Sequence, residues 1–219
     1  MKIKICGLKS AEDSIAVCAA GADMLGFNFY RESVRYIERK ACREIVALVQ
    51  RNFPDVTCVG VFVNLPPAEV EQALRYCGLD LAQLSGDESI ADYAALNGRA
   101  FKALRPRSPK ELAAAISSLP LRGAPPAFLI DAHQAGSYGG TGEIADWTLA
   151  ESVASSYPIV LAGGLTAENV ADAIRQVRPW GVDVASGVER ERGIKDVHLI
   201  SAFIHAARQA SALAQGEKR

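Results

Sequence analysis

Short apolar runs alternate with amphipathic segments along the chain. Eight of the runs predict strands: Lys2–Cys6, Met24–Phe29, Thr57–Val63, Leu81–Leu84, Ala100–Ala103, Phe128–Asp131, Ile159–Ala162 and Val182–Ala185. Several are apolar at consecutive positions, as in Phe128-Leu-Ile and Ile159-Val-Leu-Ala. That pattern marks a parallel strand covered on both faces. Helical periodicity fills the intervals. Ser10-Ala-Glu-Asp leads into Ile15, Ala16, Ala19 and Ala20, and Gly21 closes the helix. Pro66-Pro67 precedes Val70, Leu74 and Cys77, with Gly78 as the stop. Ser108-Pro-Lys-Glu starts a helix through Ile116, with proline in its first turn. Thr166-Ala-Glu-Asn leads into Val170, Ala173, Ile174 and Val177, and a last helix starts near Asp196.

Eight strand–helix units in 219 residues predict an α/β fold, a single-domain (β/α)8 TIM barrel over residues 1–219 with a frayed tail at 215–219. A doubly wound sheet is the competitor. Its first turn should carry a Gly-x-Gly-x-x-Gly fingerprint, and the turn here is Gly7-Leu-Lys-Ser. Gly21-Ala-Asp, Gly78-Leu-Asp and Gly181-Val-Asp form a weak echo, each expected just before a strand.

Charge narrows the function classes. The chain has 24 Lys+Arg against 25 Asp+Glu, a formal charge of −1 and a pI near 6.3. That balance argues against nucleic acid and membrane surfaces as partners. No apolar run approaches the roughly eighteen residues of a membrane span. The amino-terminal segment lacks a signal-peptide pattern. The five cysteines, Cys6, Cys18, Cys42, Cys58 and Cys77, contain no Cys-x-x-Cys, and the three histidines complete no metal-ligand spacing. A reduced, cytoplasmic protein with no metal and no cofactor is expected, its thiols mostly small buried hydrophobes. Monomer and homo-oligomer both stay open.

Working residues in such barrels sit at the carboxyl ends of strands. Cys6-Gly7, Asn28, Arg31 and Arg35, Asn64, Gln83 and Ser85, Arg105, Asp131 and His133, Gly163-Gly164 and Ser186-Gly187 are the candidates. Glycines after strands seven and eight (Gly163, Gly164, Gly187), with Ser186, fit a cradle for a small phosphorylated substrate, or else only tight turns. Gly136-Ser-Tyr-Gly-Gly-Thr-Gly142 reads as a closing loop or a flexible connection. Cys6 is a reactive thiol or a buried strand cysteine. Asp131 ends an apolar run, a costly place for an idle carboxylate. Arg35 either grips a substrate carboxylate or is solvated. His133 reads as a loop histidine in water, and Arg105 and Arg107 as surface charges.

Several of these residues lie in ordered motifs. Lys4-Ile-Cys-Gly-Leu8, Ser33-Val-Arg-Tyr36, Gln83-Leu-Ser-Gly86, Leu129-Ile-Asp-Ala132, Gly139-Gly-Thr-Gly142, Leu161-Ala-Gly-Gly-Leu-Thr166 and Gly181-Val-Asp-Val-Ala-Ser-Gly-Val-Glu189 run in that order over nearly the whole chain. Together they resemble phosphoribosylanthranilate isomerase. The resemblance implies an Amadori rearrangement in tryptophan biosynthesis, with no cofactor. It makes Cys6 the general base and Asp131 the general acid. Arg35 would contact the anthranilate carboxylate, and Gly163, Gly164, Ser186 and Gly187 the phosphate. The pairing requires a site that favours the Cys6 thiolate and a protonated Asp131.

The sequence departs from the family pattern at Ser85, where histidine is usual, and at Val34, Ala185 and Leu8-Lys-Ser10. Those changes bear on affinity and substrate identity. A related phosphosugar isomerase with another aglycone, and a non-catalytic phosphate-ligand barrel, are the alternatives.

Overall fold

A computed structural model describes residues 1–131 and 147–216, with side chains to residue 214. Eight parallel strands close into a barrel in chain order: β1 (Lys2–Cys6), β2 (Met24–Asn28), β3 (Thr57–Phe62), β4 (Leu81–Leu84), β5 (Ala100–Leu104), β6 (Phe128–Ile130), β7 (Val160–Leu161) and β8 (Gly181–Val184). Lys4 pairs with Met24 on one side and with Asp183 on the other, which closes the ring. The helices are α1 (Ala11–Ala19), α2 (Arg39–Asn52), α3 (Pro67–Cys77), α4 (Ile90–Ala95), α5 (Pro109–Ser118), α6 (Trp147–Ala154), α7 (Val170–Val177) and α8 (Val197–Gly216). The last of these carries the chain through residue 216, and 217–219 lie outside the described residues. No described helix is long and apolar enough to cross a membrane.

The caps expected from sequence form locally. The Ser10 side chain accepts from the Asp13 N–H at 3.0 Å, and the Ser108 side chain from the Glu111 N–H at 3.2 Å. Gly78 ends α3 in the left-handed conformation at φ 73°, which other residues reach only with strain. Asp196 accepts from the His198 and Leu199 N–H groups at the start of α8.

Alternation along each strand sorts the core into two layers. Ile3, Ile5, Leu25, Phe27, Phe62, Phe128, Ile130, Leu161, Val182 and Val184 face outward into the helix layer. Met24, Val59, Phe101, Ala103, Leu129, Val160 and Ala162 fill the barrel. Burying each larger side chain contributes roughly 1.5–3 kcal/mol before entropy is counted. The same alternation turns Lys4, Cys6, Asp183 and Ser85 into the barrel rather than out of it.

Three expectations are corrected. First, β6 ends at Ile130, although the Asp131 N–H still donates to the Leu104 carbonyl at 3.0 Å. Second, the glycine–aspartate echo holds only twice. Asp23 accepts from the Ile3 N–H and Asp80 from the Cys58 N–H, each just before a strand. Gly181 instead opens β8, so Asp183 sits inside the strand and faces the lumen. Third, the chain after β8 forms a 3-10 turn (Ser186–Val188) and a short hairpin, β9 (Glu189–Glu191) with β10 (Ile194–Lys195), which sequence periodicity does not predict.

Candidate active site

Cys6 is the last residue of β1 and is 8% exposed. It pairs across the ladder with Gly26 of β2, and a Cβ at residue 26 would lie 2.7 Å from the Cys6 Sγ. The sulfur therefore occupies room that a side chain on β2 would take. It points into the barrel, not into the helix layer. Asp131 follows β6 and is half-buried. Ile130 packs in the outer core, so alternation places Asp131 on the lumen side. β1 and β6 are separated by β8 and β7 in the ring, so the two side chains enter the mouth from opposing walls.

Five charged groups surround the thiol. Lys4, one residue row below Cys6, is 1% exposed, and its ammonium lies 2.9 Å from the Asp183 carboxylate. Its charge acts on the Cys6 thiol from the neighbouring lumen position of the same strand. Arg35 is 6% exposed and lies along the Gly7 backbone, where a Cβ would meet its Cδ at 2.5 Å. Its Nε and Nη2 donate to the two Glu189 oxygens at 2.7 and 2.8 Å. The Lys195 ammonium donates to Glu189 at 3.0 Å and to the Ala185 carbonyl at 2.8 Å. Gly193 N–H donates the fourth hydrogen bond to Glu189.

Burial would raise the Glu189 pKa, but these donors and the two cations bring it down to about 2. Burial likewise pushes the Cys6 thiol above its ordinary value. Lys4 and Lys195 oppose that rise and Asp183 adds to it. Desolvation outweighs the cations, so the net direction is upward. Lys4 shows the reverse outcome. Burial lowers its pKa, but Asp183 and Cys6 more than restore it, so it stays an ammonium.

The glycine turns after β7 and β8 come together. Gly163 and Gly164 both have positive φ, at 89° and 60°. Gly187 backs directly onto the Leu165 carbonyl, leaving no room for a Cβ. Ser186 opens the 3-10 turn beside it, and all four residues are half-buried. Asn169 ties the first turn by donating to the Gly164 carbonyl at 2.9 Å and accepting from the Thr166 N–H at 2.8 Å.

Arg35 is not a solvated arginine. Nor is Arg105 a plain surface charge: it is half-buried and donates to the Ser85 carbonyl at 2.7 Å. Arg107 is at the surface, paired with Glu111. Gln83 and Ser85 are 6% and 2% exposed, and the Gln83 amide donates to the Ser85 hydroxyl at 3.1 Å. The Gln83 Oε1 is buried with no hydrogen-bond partner. Lys4, Asp183, Glu189 and Lys195 were not singled out from the sequence as site residues. A lysine inside an apolar run, Lys4-Ile-Cys, is the one signal that was there to read. His133 and the loop Gly136–Gly142 lie outside the described residues. The other four cysteines are buried and unpaired, as expected. A cleft of about 610 Å3 on the outer flank, lined by Tyr30, Arg31, Tyr36 and Tyr76, holds neither Cys6 nor Asp131.

Comparison with known proteins gives this geometry a family. A family profile described as N-(5'phosphoribosyl)anthranilate (PRA) isomerase matches residues 3–206. N-(5'-phosphoribosyl)anthranilate isomerase of Pseudomonas putida (strain W619) is 45% identical over 211 residues, covering 96% of this chain and 98% of its own. A crystal structure of phosphoribosyl anthranilate isomerase from Thermotoga maritima superposes with a TM-score of 0.84 at 34% identity, over 95% of this chain and 99% of that one. A crystal structure of the isomerase in complex with reduced 1-(o-carboxyphenylamino)-1-deoxyribulose 5-phosphate gives a TM-score of 0.81 at 33% identity, with the same coverage. The chain belongs to the N-(5'-phosphoribosyl)anthranilate isomerase family.

Proposed function

We propose that this barrel converts N-(5'-phosphoribosyl)anthranilate into 1-(2-carboxyphenylamino)-1-deoxyribulose 5-phosphate in tryptophan biosynthesis, with Asp131 as the acid and Cys6 as the base. Asp131 gives a proton to the ribose ring oxygen, the C1–O bond breaks, and the anthranilate nitrogen's lone pair forms the C=N bond of a Schiff base. The Cys6 thiolate then takes the proton from C2. That electron pair forms the C1–C2 double bond of an enolamine and returns the C=N electrons to nitrogen. Tautomerisation gives the ketone. Both steps move protons only, so positioned acid and base groups suffice for the chemistry.

The remaining residues bind the two anionic ends. Gly163, Gly164, Ser186 and Gly187 take the phosphate with closely approaching backbone, and Arg35 supplies the charge for the anthranilate carboxylate. The single observation that carries this reading is the lumen-facing Cys6 sulfur, set over Gly26 at the carboxyl end of β1 in a chain of this family. Five buried, unpaired thiols support a reducing compartment, the cytoplasm.

The experiment is turnover. Purified protein mixed with N-(5'-phosphoribosyl)anthranilate should abolish its anthranilate-type fluorescence at a rate proportional to enzyme. Saturable binding of that compound without fluorescence loss would overturn the assignment in favour of a ligand-binding barrel. Turnover confined to other phosphosugars would overturn it in favour of a different aglycone.

A further inference from the structure

We propose that Lys4 is the positioning residue that lets Cys6 carry negative charge: its buried ammonium, anchored by Asp183, stands one lumen row beneath the sulfur on the same strand. This rests on the reading of Cys6 as the base.

The barrel interior is otherwise lined by Met24, Val59, Phe101, Leu129 and Val160. An ion pair there is an expensive feature, because apolar residues of the same size are commonly as stable or more so. Lys4 and Asp183 are 1% and 8% exposed, so neither recovers much of its desolvation cost from water. The pair stands directly beneath the one thiol that faces the lumen. Its location calls for a role beyond packing.

The groups facing Cys6 divide by what they are already bound to. Lys195 on β10 and Arg35 from the segment after β2 both exert their charge on the sulfur, and both are tied to Glu189 on β9. Asp183 on β8 repels a thiolate, and Asp131 enters from β6. Gly26 on β2 brings no charge. Lys4 is the cation that shares β1 with the sulfur, one lumen row away, and is held by Asp183 rather than Glu189. With Asp131 carrying its proton as the acid, three cations stand against Asp183 and Glu189 in this cluster, an excess of one positive charge that a thiolate at Cys6 would balance. Asp183 completes the arrangement. It keeps Lys4 an ammonium, so that the sulfur's proton and not the lysine's is the one lost.

The test reads the sulfur rather than turnover. Iodoacetamide labelling of the Cys6 peptide is followed by mass spectrometry across pH, which isolates Cys6 from the four other thiols. Lys4→Met should move the midpoint of labelling up by a pH unit or more, so that labelling at a fixed lower pH slows tenfold or more. Lys4→Arg should restore most of that loss. A folded Lys4→Met with an unmoved midpoint overturns the proposal. Because Lys4→Met leaves Asp183 buried and unpaired, the variant pair Asp183→Asn and Lys4→Met/Asp183→Asn repeats the comparison without that liability. A higher midpoint in the double variant supports the proposal, and equal midpoints overturn it. If the midpoint moves while turnover stays at the wild-type level, Lys4's hold on the sulfur stands and the assignment of Cys6 as base fails.

Discussion

Arg35 and Glu189, 154 residues apart, face each other through two hydrogen bonds of 2.7 and 2.8 Å. The pair binds the segment after β2 to the hairpin after β8, across the edge of the barrel mouth where Cys6 ends β1. Removing one partner of a buried ion pair leaves the other uncompensated. Glu189→Ala should therefore destabilise the fold by about 3 kcal/mol in urea denaturation. In the folded fraction, KM should rise more than kcat falls, because Arg35 loses its orientation. Equal stability and an unchanged KM would show the pair to be idle.

The same carboxylate sets an acid window. Its folded pKa of about 2 lies below its ordinary value of 4.5. The stabilisation is fully present above pH 4.5 and is lost as pH falls through 2. It amounts to something on the order of 3 kcal/mol. Between those limits the wild-type protein should lose stability more steeply with falling pH than Glu189→Gln does, as followed by denaturation midpoints at stepped pH. Parallel curves would contradict the assignment.

Gly26 controls the room above β2. Its alanine variant would press a methyl group to within 2.7 Å of the Cys6 Sγ, and the sulfur must move. Overpacking of this kind costs about 1–3 kcal/mol. A misplacement of this size at a reacting atom costs on the order of a hundredfold in rate. Gly26→Ala should thus lose far more in kcat than in melting temperature, measured on the same preparation.

Gly187 has no room for a Cβ against the Leu165 carbonyl. Gly187→Ala should push the β7 and β8 turns apart. Charge-assisted hydrogen bonds contribute roughly 1.5–3 kcal/mol each. KM for the phosphorylated substrate should rise at least about tenfold, and inorganic phosphate should weaken as an inhibitor in parallel.

The barrel was legible because its signals are local. β1 and β4 fall on their predicted spans, since Lys2–Cys6 and Leu81–Leu84 are bounded by clear turn residues. α2 has no start signal in the sequence, because Glu38 makes no side-chain cap and the first turn is basic, Arg39-Lys40. The hairpin Glu189–Glu191 with Ile194–Lys195 has no apolar alternation to betray it. Cys6 and Asp131 could be picked out because each sits oddly at the end of an apolar run. Their supporting charges could not. Lys4 meets Asp183 only when β8 closes on β1, 179 residues along the chain, and Arg35 leaves water only when Glu189 arrives from the far end. Sequence shows which residue is unusual; ring closure decides what it touches.

The account turns on Cys6 and Asp131 flanking one phosphorylated pentose, and the most direct measurement is turnover by Cys6→Ala and Asp131→Asn beside their affinity for a product analogue. Each variant should lose at least a hundredfold in kcat, within the range that one acid or base group supplies. Affinity for the analogue should change less than about tenfold, since neither group holds the anionic ends. Near-normal turnover in either variant would contradict its assigned role.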